Sequence, residues 1–189
     1  LVQLVENAKR FIFESKAPAT RKAYATAWAG FQTWTKEKGL QALPAKPETV
    51  ILYLTHLTQL GRKPATLDKI LAAISFAHQS QGHPVPKDFY TRQTMQGIRR
   101  VVGSKQRQVK PITVEVLRRM VVSLPETLPG ARTKALLLLG FAGAFRRSEV
   151  VSLNVAGLEF DPRGLICNLA RSKVDQEGRG ARVAISRGS

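Results

Sequence analysis

An unbroken helical stripe between about Thr20 and Lys38 constrains this chain more than any other feature. Tyr24, Ala27, Trp28, Phe31 and Trp34 recur at i, i+3, i+4, i+7 and i+10, one face of a 3.6-residue period. Thr20 is the candidate N-cap and Gly39 closes the segment. Helical segments with the same punctuation lie on both sides. Leu4–Glu14 is short and amphipathic. Pro47-Glu48 opens a helix with proline in the first turn and an acid that the helix dipole favours there; Val50, Leu54 and Leu57 form its inner face and Gly61 ends it. A fourth runs from about Pro64 to Ser80, before Gly82 and Pro84, and a fifth from about Asp88 to Val102, before Gly103. These residues predict a small all-helical domain over 1–103.

The pattern then changes. Gly103–Pro111 is polar and basic and has no apolar period, so 104–111 reads as an interdomain linker. Thr113 caps the next predicted helix. The apolar run Ala135–Phe145 predicts a buried helix over about 131–144, which delivers Arg146 and Glu149; a short helix over 147–153 follows. From Gly157 on, Leu158–Phe160, Leu165–Ala170 and Arg182–Ile185 read as short strands, with turns at 161–164 and 175–178. The fold class is therefore mainly α: a helical domain, then the first part of an α+β domain with a small antiparallel sheet over 112–189.

Charge narrows the partner. The net charge is +17, from 30 Lys and Arg against 13 Asp and Glu, well beyond what solubility requires, and it predicts a polyanion. The excess lies in both halves, so both are expected to face it. No acid occurs between Asp88 and Glu115, while Arg92, Arg99, Arg100, Lys105, Arg107 and Lys110 all do. Unopposed cations of this density repel one another unless phosphates separate them. A single cysteine, Cys167, excludes an internal disulfide and makes a cysteine metal site implausible; no metal and no cofactor is expected. The longest apolar run is too short for a bilayer, and Glu6, Lys9, Arg10 and Glu14 exclude a signal peptide, so no membrane partner is expected. His56 and His78 read as core-edge residues, and Trp28 and Trp34 as core.

Several segments together resemble the tyrosine-type site-specific DNA recombinases, the phage integrase family. They are Thr20-x-x-x-Tyr24 with Phe31-x-x-Trp34, the Pro47-Glu-Thr-Val helix, Pro111-Ile-Thr113, Phe145-Arg146-Arg147-Ser148-Glu149-Val150, and Ser172-Lys173-Val-Asp-Gln-Glu-Gly178. The resemblance covers essentially the whole chain. It implies a helical (SAM-like) core-binding domain and a catalytic domain that together clamp duplex DNA. In this family a tyrosine attacks a DNA phosphate, leaving a phosphotyrosyl bond and a free 5′-hydroxyl. Arg146 would then stabilise the nonbridging oxygens, Glu149 would orient a catalytic group or hold Arg146, and Lys173, on a β-hairpin, would protonate the leaving oxygen. Candidate DNA contacts are Lys22, Lys63, Thr66, Lys69, Arg92, Arg99, Arg100, Lys105, Arg107, Lys110 and Arg147.

The resemblance further implies other recombinase protomers on DNA, in a tetrameric synapse, and a cytoplasmic or nucleoid location in a prokaryote or mobile element. The family's His-x-x-Arg box and tyrosine nucleophile do not occur after Lys173, and Tyr24, Tyr53 and Tyr90 all lie in the helical part. The expectation is therefore the front part of a recombinase, itself unable to form the covalent bond. Two other readings stand beside it: a non-catalytic DNA-binding accessory protein that kept the fold, and a basic helical RNA-binding or scaffold protein. Without the surrounding pattern, Arg146 would simply open a helix and pair with Glu149, and Lys173 would be a solvated turn residue.

Overall fold

The computed structural model describes residues 2–105, 108–170, 175 and 180–187. The chain divides into two compact units, Leu1–Arg107 and Gln108–Ser189.

The first unit contains five helices: α1 (Val2–Glu14), α2 (Pro18–Glu37), α3 (Pro47–Gln59), α4 (Pro64–Ser80) and α5 (Phe89–Val102). Proline starts three of them. Pro18, Pro47 and Pro64 each occupy the first helical turn, where the missing N–H would have no partner in any case. This corrects the expected start of α2. Thr20 lies inside the first turn, Ala17 is the residue before the helix, and Pro18 with its fixed φ sets the boundary. Asp88 caps α5 in a reciprocal box: its carboxylate accepts from the Thr91 N–H at 2.8 Å, and Thr91 Oγ1 faces the Asp88 N–H at 3.5 Å. The bond from the Thr91 N–H, and a second from the Thr91 hydroxyl at 2.8 Å, hold the Asp88 carboxyl below the ordinary aspartate range.

The apolar faces converge as their spacing requires. Phe31 and Trp34 from α2, Val50, Tyr53, Leu54 and Leu57 from α3, Leu67, Leu71 and Ile74 from α4, and Met95 from α5 form one buried cluster. The Tyr53 ring packs between Phe31 and Trp34, with centroids 5.1 Å from each. Burial raises the Tyr53 hydroxyl above its ordinary value. His78 departs from expectation. It is fully buried rather than at the core edge, because both ring nitrogens are satisfied. The Ala45 N–H donates to Nε2 at 2.9 Å, so Nε2 carries no proton, and Nδ1–H donates to the Ile74 carbonyl at 2.8 Å. The ring thereby ties the segment before α3 to α4.

The second unit contains α6 (Val114–Val122), α7 (Leu128–Ala142), α8 (Arg147–Ser152), a 3-10 turn at Val155–Gly157, and strands β1 (Leu158–Asp161), β2 (Gly164–Leu169) and β3 (Ala181–Ser186). Thr113 caps α6, accepting from the Val116 N–H at 3.4 Å. α7 begins three residues before the expected start, since Thr127 caps it and Pro129 fits its first turn. The strands form one antiparallel sheet in the order β1-β2-β3. Cys167 and Leu169 of β2 are buried. The turn into β2 requires a glycine: Gly164 has φ +156°, and a Cβ there would lie 2.1 Å from the Ile185 carbonyl oxygen. A mainly helical fold with a small sheet is therefore what the chain adopts.

One expectation fails in this unit. α7 is not buried: Leu136, Leu138 and Phe141 are 38%, 48% and 42% exposed. α6 and α8 pack on it. Leu117, Leu136, Phe141 and Val150 from the three helices, with Phe145 from the α7–α8 connection, line an open groove. A segment that is apolar on every side announces burial, but the number of neighbours it finds is a property of the assembled unit.

Candidate functional site

The connection between α7 and α8 sets the position of Arg146. Gly143 ends α7, and Phe145 N–H turns back to the Gly140 carbonyl at 3.1 Å. The Phe145 ring lies against Gly143 so closely that a Cβ there would be 2.4 Å from it. Ala144 has φ +50°, the left-handed region that costs an L-residue about 1–2 kcal/mol. The tight reversal leaves Arg146 extended (φ −72°, ψ 153°) immediately before α8, and its carbonyl accepts from the Glu149 and Val150 N–H groups at 2.9 and 3.1 Å.

Glu149 then reaches back. One carboxylate oxygen accepts from the Arg146 backbone N–H at 2.8 Å, the other from Arg146 Nη1 at 2.8 Å. This is half of a capping box, since a guanidinium has no acceptor with which to return a bond. The exposures differ: the Glu149 side chain is 6% exposed, that of Arg146 51%. A buried anion thus grips a cation by its main chain and by one nitrogen, and half of the cation remains open to solvent. A guanidinium is permanently charged and planar, so an arginine held in this way offers a fixed fork to an anion. The helix-start and ion-pair reading of Arg146 is correct as geometry, and it is compatible with anion binding by the exposed half. Arg147, the next residue, is exposed.

Lys173 and Arg107 lie outside the described residues, as does the expected turn 175–178 apart from Asp175, whose carboxylate accepts from the Gly180 N–H at 2.7 Å. The strands that flank this stretch are tied across the sheet. Glu159 of β1 accepts from Asn168 Nδ2 of β2 at 2.7 Å and from Arg182 Nη2 of β3 at 2.9 Å. Asn168 and Arg182 are register partners near the end of the strand pair from which 170–180 departs.

The other candidates are exposed wherever they are described. Lys22 is on α2, Lys63 precedes α4, Thr66 and Lys69 share a face of α4, Arg92, Arg99 and Arg100 are on α5, and Lys105 follows it. Lys110 in the second unit is also exposed. Within the first unit the structure joins α4 to α5 at the surface: Arg99 Nη2 donates to Asp68 Oδ1 at 2.6 Å. Asp68 had no signal in the sequence, because its partner is 31 positions away. Among the described residues, no cluster of His, Cys, Asp and Glu could hold a metal ion, and no helix is long and apolar enough to cross a membrane.

No protein-family model matches the chain. An integrase/recombinase XerD homolog of Selenomonas ruminantium is 43% identical over 183 residues, which is 94% of this chain and 53% of the relative. A protein of Caldanaerobacter subterraneus subsp. tengcongensis named as a tyrosine recombinase is 25% identical over 167 residues, 88% of this chain and 56% of that protein. Over most of its length the chain is thus similar to proteins named as integrases or tyrosine recombinases. It spans about half the length of the curated relatives it matches.

Proposed function

We propose that these residues bind duplex DNA and supply the charge-stabilising part of a recombinase site, for strand cutting and rejoining through a phosphotyrosyl intermediate. The observation that carries this reading is Arg146, half exposed and gripped through Nη1 and its own N–H by the buried Glu149. A phosphoryl transition state spreads negative charge over its nonbridging oxygens, and a preorganised fork stabilises that charge with little reorganisation. In this reading Glu149 holds Arg146, and Lys173 gives a proton to the leaving 5′-oxygen. Lys22, Lys63, Thr66, Lys69, Arg92, Arg99, Arg100, Lys105, Arg107, Lys110 and Arg147 contact the duplex. Residues 104–111 connect the two DNA-facing domains, and further protomers assemble on the same DNA.

The tyrosines support a binding rather than a bond-forming role for this stretch. Tyr53 is 6% exposed, and burial raises its hydroxyl. Tyr24 packs on Phe76 with centroids 5.6 Å apart, and Tyr90 sits beside Phe89 on α5. None is in the unit that holds Arg146. A suicide DNA substrate resolved on a denaturing gel is therefore expected to give no covalent adduct with the 189-residue chain; an adduct through any of the three overturns this part of the reading.

Binding itself is tested by titration against salt. Affinity for duplex DNA is expected to fall steeply, with a slope of about −0.9 per phosphate neutralised. Absent or salt-independent binding removes the premise. In the protein expressed from the complete gene, Arg146→Ala should leave binding nearly intact and slow cleavage by roughly two or more orders of magnitude. Arg146→Lys should restore little, because a point charge lacks the fork. Unchanged cleavage by Arg146→Ala refutes the role.

A further inference from the structure

On the surface where α4 meets α5, Asp68 stands among cations. Lys63, Lys69, Arg92, Arg99 and Arg100 lie on or next to these helices, and Asp68 is the single acid within either. A face built only to attract phosphate would gain by losing it. Asp68 is not needed to dock the helices: Leu67, Leu71, Ile74 and Met95 do so from the buried side. Its bond to Arg99 is exposed, with side chains 46% and 43% accessible, and such a pair adds little to stability. What the pair does is fix a guanidinium. Ala65 and Ala72, one turn before and after Asp68 on the same side of α4, have short side chains that leave the approach to it open.

We propose that Asp68 is a positioning residue that sets Arg99 to read a base edge in duplex DNA, a guanine, rather than to bind a phosphate. The inference rests on the duplex-DNA reading above. The Asp68–Arg99 pair is close to neutral as a unit, and its carboxylate repels an approaching phosphate at the distance at which Arg99 would hold it. A guanine edge carries no charge and offers O6 and N7 as two acceptors matched to an arginine fork. Anchoring Nη2 at 2.6 Å to a residue of the neighbouring helix removes the rotamer freedom that would otherwise blur such a contact. Lys69, Arg92 and Arg100 remain for the backbone, which positions the helices without reading sequence.

The test is selection from a pool of randomised duplex DNA by the 189-residue chain and by its Asp68→Asn, Arg99→Ala and Arg99→Lys variants, with salt titrations and tryptophan-monitored urea unfolding of each. The wild type is expected to enrich sites with guanine at one fixed position. Both Arg99 variants should lose that preference and keep the others. Asp68→Asn should relax it by roughly five- to hundredfold. The same variant should bind unselected DNA more tightly, with a salt slope steeper by about one phosphate, since a repelling charge is gone. Arg99→Lys separates fork from charge: retained guanine preference in that variant overturns the proposal. So does unfolding at lower urea with an unchanged selected sequence, which would make the pair a simple tie between helices. If the wild type binds no duplex at low salt, the duplex-DNA reading falls and this one with it. If it binds, and the variants select the same sites, only the base-reading role falls.

Discussion

Glu149→Gln isolates the grip on Arg146, since it preserves volume and removes charge. The amide oxygen can still accept from the Arg146 N–H, but the NH2 group then faces Nη1, donor against donor. Converting a charge-assisted bond worth about 1.5–3 kcal/mol into a neutral one of about 1 loses roughly 0.5–2 kcal/mol. The ion pair has one partner half exposed, so screening limits it to at most about 1 kcal/mol. The sum is about 0.5–3 kcal/mol. With a urea dependence of about 1 kcal/mol per molar for a small unit, the midpoint should fall by about 0.5–3 M. The two tryptophans, Trp28 and Trp34, are both in the first unit, so fluorescence provides an internal control and far-ultraviolet circular dichroism reports both units. The dichroism transition of the second unit should move and the fluorescence transition should not. A shift below about 0.3 M in the second unit would refute the claim that Glu149 holds this turn together. An equal shift in both transitions would refute the independence of the two units on which the assay rests.

Three further outcomes test the local arguments. Asp88→Ala should destabilise the first unit at neutral pH. The folded Asp88 carboxyl lies below its unfolded value, so the stability it adds is present above about pH 4 and fades as pH falls through the lower folded value; the wild-type and Asp88→Ala urea midpoints should therefore converge in acid, and a constant difference between them across that range contradicts the capping account. His78→Leu should cost the first unit about 1–3 kcal/mol by leaving the buried Ala45 N–H without an acceptor, and it should change the emission of Trp28, whose ring lies 5.9 Å from the imidazole; wild-type emission and midpoint would exclude the tie. Ala144→Gly should stabilise the second unit slightly, because relief of about 1–2 kcal/mol at φ +50° outweighs the roughly 0.5–1 kcal/mol of extra chain entropy that glycine brings to the unfolded state; a clear loss of stability would show that the turn is not strained there.

Much of this protein is set by short-range chemistry, and the sequence alone determined that part. Helices α3, α4 and α6 begin at their expected residues because proline or threonine fixes the first turn and an apolar period follows. The three strands fall where alternation and the 161–164 turn place them. The resemblance to recombinases was legible for the same reason: it rests on short, ordered runs, and a protein named as an integrase/recombinase is 43% identical to this chain. The Arg146–Glu149 contact was within reach too, being three residues long. What only the tertiary structure decided are relations without a local period. The Asp68–Arg99 pair and the His78–Ala45 bond join residues 31 and 33 positions apart, and nothing in either neighbourhood of the chain announces the partner. The exposure of α7 is of the same kind. An apolar sequence states what a helix would gain from burial, but the amount it buries depends on how many other elements reach it, and that is settled only when the whole unit packs.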